Sequence, residues 1–325
     1  MEKYDVAGIG SPLLDFIFEV EESILAEMNL KKGQMHLIDE KKSREILKRL
    51  EKYKVKTAPG GSSANTLAGI SRLGGSAVFL GKIGKDKHGD IYEQKTGEEG
   101  VKARLSKHES AVTGHAITFI TPDSERTFAT HLGASLYFRK ENVFEEEIKN
   151  SKILHIEGYQ LEDPNLKEAA IHAMNIAKAN NVKISLDLAD PALIERNLSP
   201  LRELVKKYAD VIFVNEKEAE AFTGKKEEEA LHEIYDMCDI AIVKLGEKGS
   251  LIKANNRIYS IQINKVKVVN TNGAGDAYAA GILYSLANNL DIEKAGKIAA
   301  YISSQVVAGK EARLNRSLKE EIKII

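Results

Sequence analysis

The most constraining feature of this sequence is a regular alternation of short apolar segments and longer amphipathic segments between residues 150 and 244. The apolar segments at 153–156, 183–187, 211–214 and 240–244 have the length of strands. The segments between them carry apolar residues at helical spacing. Strands that alternate with helices in this way form right-handed βαβ units around a parallel sheet. We therefore predict an α/β fold with a central, mainly parallel sheet flanked by helices.

Two other parts of the chain are rich in strand patterns and poor in helical ones. They cover residues 11–39 and 100–132, in which 113–121 and 126–130 have the character of strands. We predict that these two parts form one small β-sheet that packs over the main domain as a discontinuous insertion. The large α/β domain would then consist of the remaining ranges, which are 1–10, 40–99 and 133–325.

Charge and cysteine content exclude several classes of protein. The 325 residues include 47 basic and 48 acidic side chains, so no net positive field attracts nucleic acid or an anionic membrane. Cys238 is the only cysteine, which rules out an intrachain disulfide and fits a reducing compartment. The sequence shows neither a signal-peptide pattern nor a run of 18 apolar residues. We expect a cytoplasmic protein whose partners are small molecules, with no nucleic acid and no membrane.

The strongest motif lies at the start of a predicted helix in the last third of the chain. It reads Val-Val-Asn-Thr-Asn-Gly-Ala-Gly-Asp-Ala from Val268 to Ala277, and we interpret the apolar residues before it as a strand ending at Val269. Two glycines, Gly273 and Gly275, let a ligand approach backbone amides that have no partner within the helix. The helix dipole adds positive charge at this end, so the sequence predicts an anion site.

An aspartate, Asp276, belongs to the same first turn. Alone it would be interpreted as a partner of the helix dipole. Beside a bound phosphate it could instead accept the proton of an attacking alcohol, and such base catalysis is worth roughly 10²–10⁴ in rate. The amides of Ala274, Gly275 and Asp276 would meanwhile hold oxygens of that phosphate.

The whole string resembles the Asp-Thr-x-Gly-Ala-Gly-Asp signature of the ribokinase-like (PfkB) kinases, and it is most similar to the adenosine kinase branch. The resemblance covers nearly the whole chain, about residues 5–314. It implies a ribokinase-like fold with a small β-sheet lid over the acceptor, and ATP and Mg²⁺ as partners. It also implies that Asp276 is the catalytic base, with Gly273, Ala274 and Gly275 forming the anion hole.

Segments near the amino terminus resemble the acceptor site of the same family. Asn65 lies in Gly-Gly-Ser-Ser-Ala-Asn-Thr, which is similar to a motif of two hinge glycines followed by a substrate contact. Asp15 lies in Gly-Ser-Pro-Leu-Leu-Asp, which is similar to the start of adenosine kinases, where the aspartate accepts from two vicinal sugar hydroxyls. The substrate-binding residues that we predict are Asp15, Gly60, Gly61, Asn65, Arg126 and Tyr159.

Two further segments resemble the nucleotide site. Asn215-Glu-Lys-Glu218 matches an Asn-x-x-Glu element that organises Mg²⁺ and its waters on the ATP phosphates. In isolation, a glutamate at this place is usually a partner of the helix dipole. The segment that starts with Lys244-Leu-Gly-Glu-Lys-Gly resembles the strand and loop that line the purine and ribose. The residues predicted to bind the nucleotide are Asn215, Lys244, Gly246, Gly249 and Thr271, with Glu218 at the metal.

Three departures from the family pattern leave parts of the prediction open. Asn270 replaces the first aspartate of the signature, so the use of a monovalent cation such as potassium is undecided. Ser11 replaces the asparagine of the adenosine kinase start. Gln160 stands where adenosine kinases tend to place an aromatic residue against the base, a role that Tyr159 could take. The acceptor therefore stays open between adenosine, another nucleoside, ribose, fructose and a phosphosugar.

Alternative interpretations follow from other patterns. A phosphosugar acceptor would need cations in the lid, where we place Arg104, Lys107 and Arg126. A nucleotide-dependent dehydrogenase is disfavoured because Leu13 occupies the third glycine position of the Gly-Ile-Gly fingerprint after the first strand. A ribokinase- or fructokinase-type sugar kinase and a catalytically inactive ligand-binding relative stay as alternatives. The chain is expected to be a monomer or a homodimer formed through the lid.

Overall fold

The computed structural model describes residues 2–123 and 125–325. Its strands in chain order are β1 (Tyr4–Ile9), β2 (Leu13–Glu19), β3 (Met35–Leu37), β4 (Lys56–Gly60), β5 (Ala77–Gly84), β6 (Val101–His108), β7 (His115–Ile120), β8 (Arg126–His131), β9 (Ser151–Glu157), β10 (Lys183–Asp187), β11 (Val211–Asn215), β12 (Ile240–Lys244), β13 (Ser250–Ala254) and β14 (Arg257–Ile261). Its α-helices are α1 (Glu22–Glu27), α2 (Glu40–Arg49), α3 (Ser62–Arg72), α4 (Lys87–Glu98), α5 (Glu145–Lys149), α6 (Pro164–Ala179), α7 (Pro191–Tyr208), α8 (Glu216–Thr223), α9 (Glu227–Tyr235), α10 (Ala274–Ala287) and α11 (Ile292–Val307).

Nine strands form one large sheet, in the order β14-β13-β12-β11-β10-β9-β1-β5-β6. The pairs from β12 through to β6 are all parallel, and only β13 and β14 run antiparallel to their neighbours. This hairpin turns at Asn255 and Asn256, whose φ angles of 50° and 58° suit a two-residue turn between strands. The predicted mainly parallel sheet is confirmed.

Both faces of the large sheet are covered by helices. Leu67 of α3, Leu283 of α10 and Ile298 of α11 are fully buried in one apolar cluster. Phe222 of α8 and Leu231 of α9 are buried in a second cluster, to which α6 and α7 also contribute. A parallel sheet is stable only when helices bury both of its faces, which explains why its strands are nearly continuous apolar runs.

A second, smaller sheet has five strands in the order β3-β8-β7-β2-β4. Two strands differ from the predicted division of the chain. The strand Val101–His108 pairs with β5 in the large sheet, so Arg104 and Lys107 do not lie in the small one. They instead pair with carboxylates of the large domain, Arg104 with Glu147 and Lys107 with Asp90.

The strand Lys56–Gly60, expected in the large domain, pairs with β2 at the edge of the small sheet. Both differences come from edge strands, whose sequences carry a weaker pattern. Strand β6 alternates buried and exposed residues in part, as a hairpin strand does. Strand β4 contains a proline and a glycine, which sheets tolerate at their edges but which resemble a loop in sequence.

The strand predicted to end at Val269 is wrong. Residues 262–270 belong to no strand, and Val268 and Val269 are 64% and 40% exposed. In the part of the chain that the structure describes, no strand pairs with this segment, and the amides of Val269 and Asn270 donate instead to the carbonyl of Val307 at the end of α11. Apolar composition alone therefore misled the prediction.

No helix in the described ranges combines the length and the apolar character needed to cross a membrane.

Candidate active site

The polar residues of the site come from the carboxyl ends of adjacent parallel strands. Glu157 is the last residue of β9, Asp187 of β10, Asn215 of β11 and Lys244 of β12. The carboxyl ends of parallel strands lie at one edge of the sheet, where open α/β sheets bind their ligands. Helix α10 begins at the same edge of the sheet. Its residue Asp276 lies close enough to Lys244 for each side chain to shift the pKa of the other.

Asp276 is held by two neutral donors from helix α3. The hydroxyl of Ser62 donates to Oδ1 at 2.7 Å, and Nδ2 of Asn65 donates to Oδ2 at 2.7 Å. Burial raises the pKa of the Asp276 carboxyl above its usual value, while the bonds from Asn65 and Ser62 act in the opposite direction. The carboxylate is thus oriented without being neutralised by a salt bridge.

The first turn of α10 has the open backbone that its sequence predicts. Gly273 precedes the helix with a φ of 78°, and a Cβ there would lie 2.0 Å from the carbonyl oxygen of Ala312. The amide of Ala274 donates weakly to Thr271 at 3.3 Å. Among the described residues, none accepts from the amides of Gly275 and Asp276, which stay available for an anion.

Lys244, which the sequence predicts to bind the nucleotide, lies against this turn. Its Nζ would be 3.2 Å from a Cβ built on Gly275, and it donates to Asp187 at 2.9 Å. Burial alone would lower the pKa of Lys244, but the carboxylates of Asp187 and Glu218 outweigh it and raise that pKa. A charged ammonium group therefore stands beside the predicted anion hole.

Asn215 and Glu218 form a reciprocal cap at the start of α8. Asn215 donates from its amide and from Nδ2 to the two oxygens of Glu218, and its Oδ1 accepts from the amide of Glu218. Burial raises the pKa of Glu218 to about 7, Lys244 acts to lower it, and Asp187 adds to the rise. Glu218 therefore stabilises the start of helix α8, the structural role that a glutamate at this place usually has.

The donor set on this side of the site suits a hydrated Mg²⁺ ion. The carboxylates of Asp187 and Glu218 both lie near Lys244, and the side-chain amide of Asn215 is hydrogen-bonded to Glu218. Oxygen ligands of this kind are those that Mg²⁺ prefers. Burial is the main cause of the raised pKa of Glu218, and the acidic neighbour Asp187 adds to it. A divalent cation carried in with nucleotide phosphates would offset it.

Asp15, which the sequence predicts to bind the acceptor, lies on strand β2 of the small sheet. A Cβ on Gly60, which pairs with Leu13 across the strands β2 and β4, would lie 2.7 Å from Oδ1 of Asp15 and 2.8 Å from Oδ2, so a larger residue there would displace the carboxylate. Burial raises the pKa of Asp15 to about 7, although Arg313 and Arg126 act to lower it. Within the described ranges no donor is hydrogen-bonded to this carboxylate, which leaves both oxygens for a ligand.

Gly61 and Arg126 connect the small sheet to the rest of the molecule. Gly61 has a φ of 96°, and a Cβ there would lie 2.4 Å from the carbonyl of Ser11, so this joint between β4 and α3 needs glycine. Arg126 on β8 donates to the carbonyl of Lys310 at 2.5 Å, beyond α11. Arg126 is thus the one of the three predicted lid cations that the structure places on the small sheet.

Asn270, on which the use of a monovalent cation depends, is buried in this part of the molecule. Its Oδ1 accepts from the amide of Asn272 at 3.0 Å, and its Nδ2 donates to the carbonyl of Lys310 at 3.4 Å. Both polar atoms of the Asn270 side chain are thus hydrogen-bonded within the protein. The use of potassium stays undecided.

Glu157 is a buried site residue that the sequence analysis missed. Its two oxygens accept from the amides of Ser11 at 2.9 Å and Ser63 at 2.8 Å, and Gln160 donates to it at 3.2 Å. Burial raises its pKa to about 7, while the amide bonds act to lower it. Gln160 is therefore part of this buried network, and its neighbour Tyr159 is the more exposed residue at 36%.

The remaining residues predicted to bind the nucleotide are Gly246, Gly249 and Thr271. Gly246 and Gly249 flank a short turn with φ angles of 58° and 94°, and Thr271 is exposed just before α10. The residues that the sequence analysis missed are Ser62, Glu157, Asp187 and Arg313. A polar residue at the end of a buried apolar strand is the signal that would have found Glu157 and Asp187.

Comparison with known proteins finds a matching family, similar sequences and similar folds. The family of pfkB carbohydrate kinases matches residues 29–318. The 5-dehydro-2-deoxygluconokinase of Bacillus subtilis strain 168 is 29% identical over 276 residues, which are 81% of this chain and 85% of that protein. The solved adenosine kinase of Sinorhizobium meliloti is 30% identical over 99% of both chains, with a TM-score of 0.91. The probable sugar kinase of Rhizobium etli CFN 42 is 29% identical over 100% of this chain and 99% of that one, also with a TM-score of 0.91. The ribokinase-like fold predicted from the sequence is confirmed.

Proposed function

The chain belongs to the pfkB family of carbohydrate kinases, and we propose that it transfers the γ-phosphoryl group of ATP to a primary hydroxyl of a ribose-containing acceptor. The acceptor is an adenosine-like nucleoside or a sugar. Asp276 acts as the base, and the first turn of α10 binds the transferring group. The protein acts in the cytoplasm on small molecules.

The observation that supports this proposal best is the pair of bonds that hold Asp276. Ser62 and Asn65 fix both oxygens of the carboxylate, one donor each. An alcohol is a poor nucleophile, so a base that removes its proton as the phosphoryl group arrives accelerates the transfer by roughly 10²–10⁴. The raised pKa makes Asp276 a stronger base, and it is ionised only above that pKa.

The helix start supplies the second element of catalysis. The amides of Gly275 and Asp276 point out of the first turn, and the ammonium group of Lys244 lies beside it. These groups stabilise the negative charge on the equatorial oxygens of the transferring phosphoryl, and loss of one such donor costs on the order of 10²–10³ in rate. Because all of them are fixed by the fold, little reorganisation is needed during the reaction.

The residues that would organise Mg²⁺ are Glu218 and Asn215, with Asp187 nearby. When bound with ATP, the ion screens the charge of the phosphates. The contribution of the chain itself is to hold the acidic cluster in place: Asn215 fixes Glu218 through the cap of α8, and Lys244 fixes Asp187.

The acceptor is oriented by Asp15. Two free carboxylate oxygens match two vicinal hydroxyls of a ribose ring, which is why a ribose-type acceptor is favoured. Gly60 and Gly61 permit the small sheet to approach, and Tyr159 at the rim contributes an aromatic surface. The small sheet acts as a lid that excludes water from the transfer, and Asn65 touches the acceptor side as well as the base.

A sugar kinase with an anionic acceptor is a second candidate. The observation that favours it is Arg126, a cation on the acceptor face of the small sheet whose charge acts on Asp15. The name of the Bacillus subtilis relative indicates a sugar acid as acceptor for that protein. An acid group on the acceptor would pair with Arg126 while Asp15 bound its hydroxyls.

One assay separates these candidates. The full chain is incubated with ATP, Mg²⁺ and single acceptors, namely adenosine, other nucleosides, ribose, fructose, 5-dehydro-2-deoxygluconate and sugar phosphates, and ADP and the phosphorylated product are measured. Turnover of a neutral ribose-containing acceptor supports the first candidate, and exclusive turnover of an acid supports the second. Binding of these compounds with no turnover of any would identify an inactive relative and contradict the proposal.

A further inference from the structure

Arg313 lies beyond α11, outside every motif of the sequence, yet it reaches the centre of the site. Its Nε donates to Oδ1 of Asn65 at 2.6 Å, although 248 positions separate the two residues. Its other nitrogens pair with Glu99 and donate to the carbonyl of Gly60 at 3.3 Å. The side chain is only 8% exposed, so this arrangement is fixed by packing.

The bond from Arg313 determines which way the Asn65 amide faces. A guanidinium group only donates, so it must face the oxygen of the amide. The nitrogen of the amide then points the other way, where Nδ2 donates to Oδ2 of Asp276 at 2.7 Å. With the amide rotated by half a turn, Oδ1 would face the carboxylate, and two acceptors would repel each other.

We propose that Arg313 is a positioning residue that holds the catalytic base in its productive, ionised form through Asn65. The inference rests on the proposed function, in which Asp276 is the base. Without Arg313 the Asn65 amide loses its fixed orientation, and Asp276 loses part of the hydrogen bonding that favours its charged form. Arg313 itself does not touch Asp276, so it does not belong to the reacting groups.

Neighbouring charges do not account for this arrangement. Glu99 pairs with Arg313 and is 19% exposed, and the remaining charge of Arg313 acts on Asp15. The charged groups that act on Asp276 directly are Asp187 and Lys244, and Asp276 in turn acts on Glu157. The effect of Arg313 on the base is therefore carried by the geometry of the Asn65 amide.

The carbonyl of Ala312 supports the same interpretation. It lies against Gly273 at the start of α10, so the segment that carries Arg313 is packed on the helix start that carries the base. The side chain of Arg313 thus contacts Asn65 of α3, and the carbonyl of Ala312 packs against Gly273 at the start of α10. Arg313 also meets Gly60, the residue that makes room for Asp15.

The test uses Arg313→Met, which keeps the length of the side chain without its donors, and Arg316→Met as the matched control. Arg316 lies in the same segment, is 53% exposed and pairs with Glu321. The first readout is the pKa of Asp276, from an NMR titration of aspartate labelled with ¹³C at its carboxyl carbon, with the signal assigned by its loss in Asp276→Asn. We expect this pKa to rise by about one unit in Arg313→Met and to stay constant in Arg316→Met. An unchanged pKa in Arg313→Met overturns the inference.

The second readout is kinetic and uses the acceptor with the highest kcat/KM in the assay above. We expect Arg313→Met to lower kcat by roughly 10-fold, and the acceptor KM is measured separately because Arg313 also acts on Asp15. In an Asn65→Ala background, Arg313→Met should have almost no further effect, whereas additive losses would contradict the coupling through Asn65. If Arg313→Met does not fold because Glu99 is left unpaired, Glu99→Gln/Arg313→Met takes its place. Normal turnover of Asp276→Asn would refute the proposed base, while the NMR result still decides whether Arg313 orients Asn65.

Discussion

Ser62 donates its hydroxyl to Oδ1 of Asp276 at 2.7 Å, across 214 residues of sequence. The serine is the first residue of α3, and the aspartate lies in the first turn of α10. Two helix starts therefore meet at the edge of the large sheet. This meeting places the proposed base beside the proposed anion site, and it connects both to Gly60 and Gly61 at the end of the small sheet.

Replacement of Asp276 by asparagine tests the base. Asparagine keeps the size and one acceptor but cannot take a proton, so we expect kcat to fall by at least roughly 10², with little change in the KM for ATP. Steady-state kinetics with ATP and the preferred acceptor measure the effect. The control is Asp90→Asn, since Asp90 also lies in the first turn of a helix but is exposed and pairs with Lys107. Equal turnover of the two variants would rule out this role for Asp276.

Replacement of Gly60 by alanine tests the space around Asp15. The new Cβ would come within 2.8 Å of both carboxylate oxygens, so the side chain of Asp15 must move. We expect the KM for the acceptor to rise by about 10-fold or more, and the KM for ATP to stay nearly constant.

Gly97→Ala is the control for Gly60→Ala. Gly97 lies in α4, and a Cβ there meets nothing within 4 Å. Alanine at this position should stabilise the protein by about 0.5–1 kcal/mol in thermal or denaturant unfolding and leave the kinetics unchanged. Equal rises of both KM values in Gly60→Ala would indicate general distortion instead of a displaced Asp15.

The buried carboxyl of Asp15 predicts a pH-dependent stability. Its pKa in the folded protein is about 7, above the value of about 3.9 expected for an unfolded chain. Folding therefore favours the protonated form, so the wild-type protein loses stability as the pH rises from about 4 through 7. We expect the free energy of unfolding of Asp15→Asn to exceed that of the wild type by on the order of 4 kcal/mol at pH 8, and by only about 1.5 kcal/mol at pH 5.

Glu19→Gln, an exposed substitution on the same strand, should leave the pH dependence of unfolding unchanged. Asp15→Asn should also raise the KM for the acceptor, because it removes one of two acceptor oxygens. A variant that is more stable at pH 8 and yet binds the acceptor poorly would show that this carboxylate is kept for function. A constant difference in stability across the pH range would show that Asp15 is not protonated on folding.

Replacement of Lys244 by methionine tests the cation beside the anion hole. Without the ammonium group, the phosphoryl oxygens lose a charged partner, and we expect kcat/KM for ATP to fall by on the order of 10²–10³. Lys183→Met is the control, because Lys183 lies at the opposite, amino end of strand β10. Since Asp187 is left unpaired in Lys244→Met, unfolding is measured in parallel, and Asp187→Asn/Lys244→Met serves if the single variant is unstable. Wild-type values of kcat/KM for ATP in a folded variant would contradict the role of Lys244.

Much of the fold follows from local patterns. The apolar segments that become β10, β11 and β12 read as buried strands because both faces of a parallel sheet are covered. The segment 262–270 shows the limit of this approach, since Val268 and Val269 have strand composition but no partner strand. Strand β4 shows the converse, because pairing with β2 makes a strand out of Lys-Thr-Ala-Pro-Gly.

The sequence by itself determined the helix start from Gly273 to Asp276 and its chemistry, because glycine conformation, free amides and a carboxylate are properties of neighbouring residues. Only the tertiary structure decided that Ser62 and Asn65 hold the Asp276 carboxylate and that Arg313 holds Asn65. These contacts join residues more than 200 positions apart. No periodic or turn pattern encodes such pairs, since they exist only once the sheet order has brought α3, α10 and the segment beyond α11 to one edge.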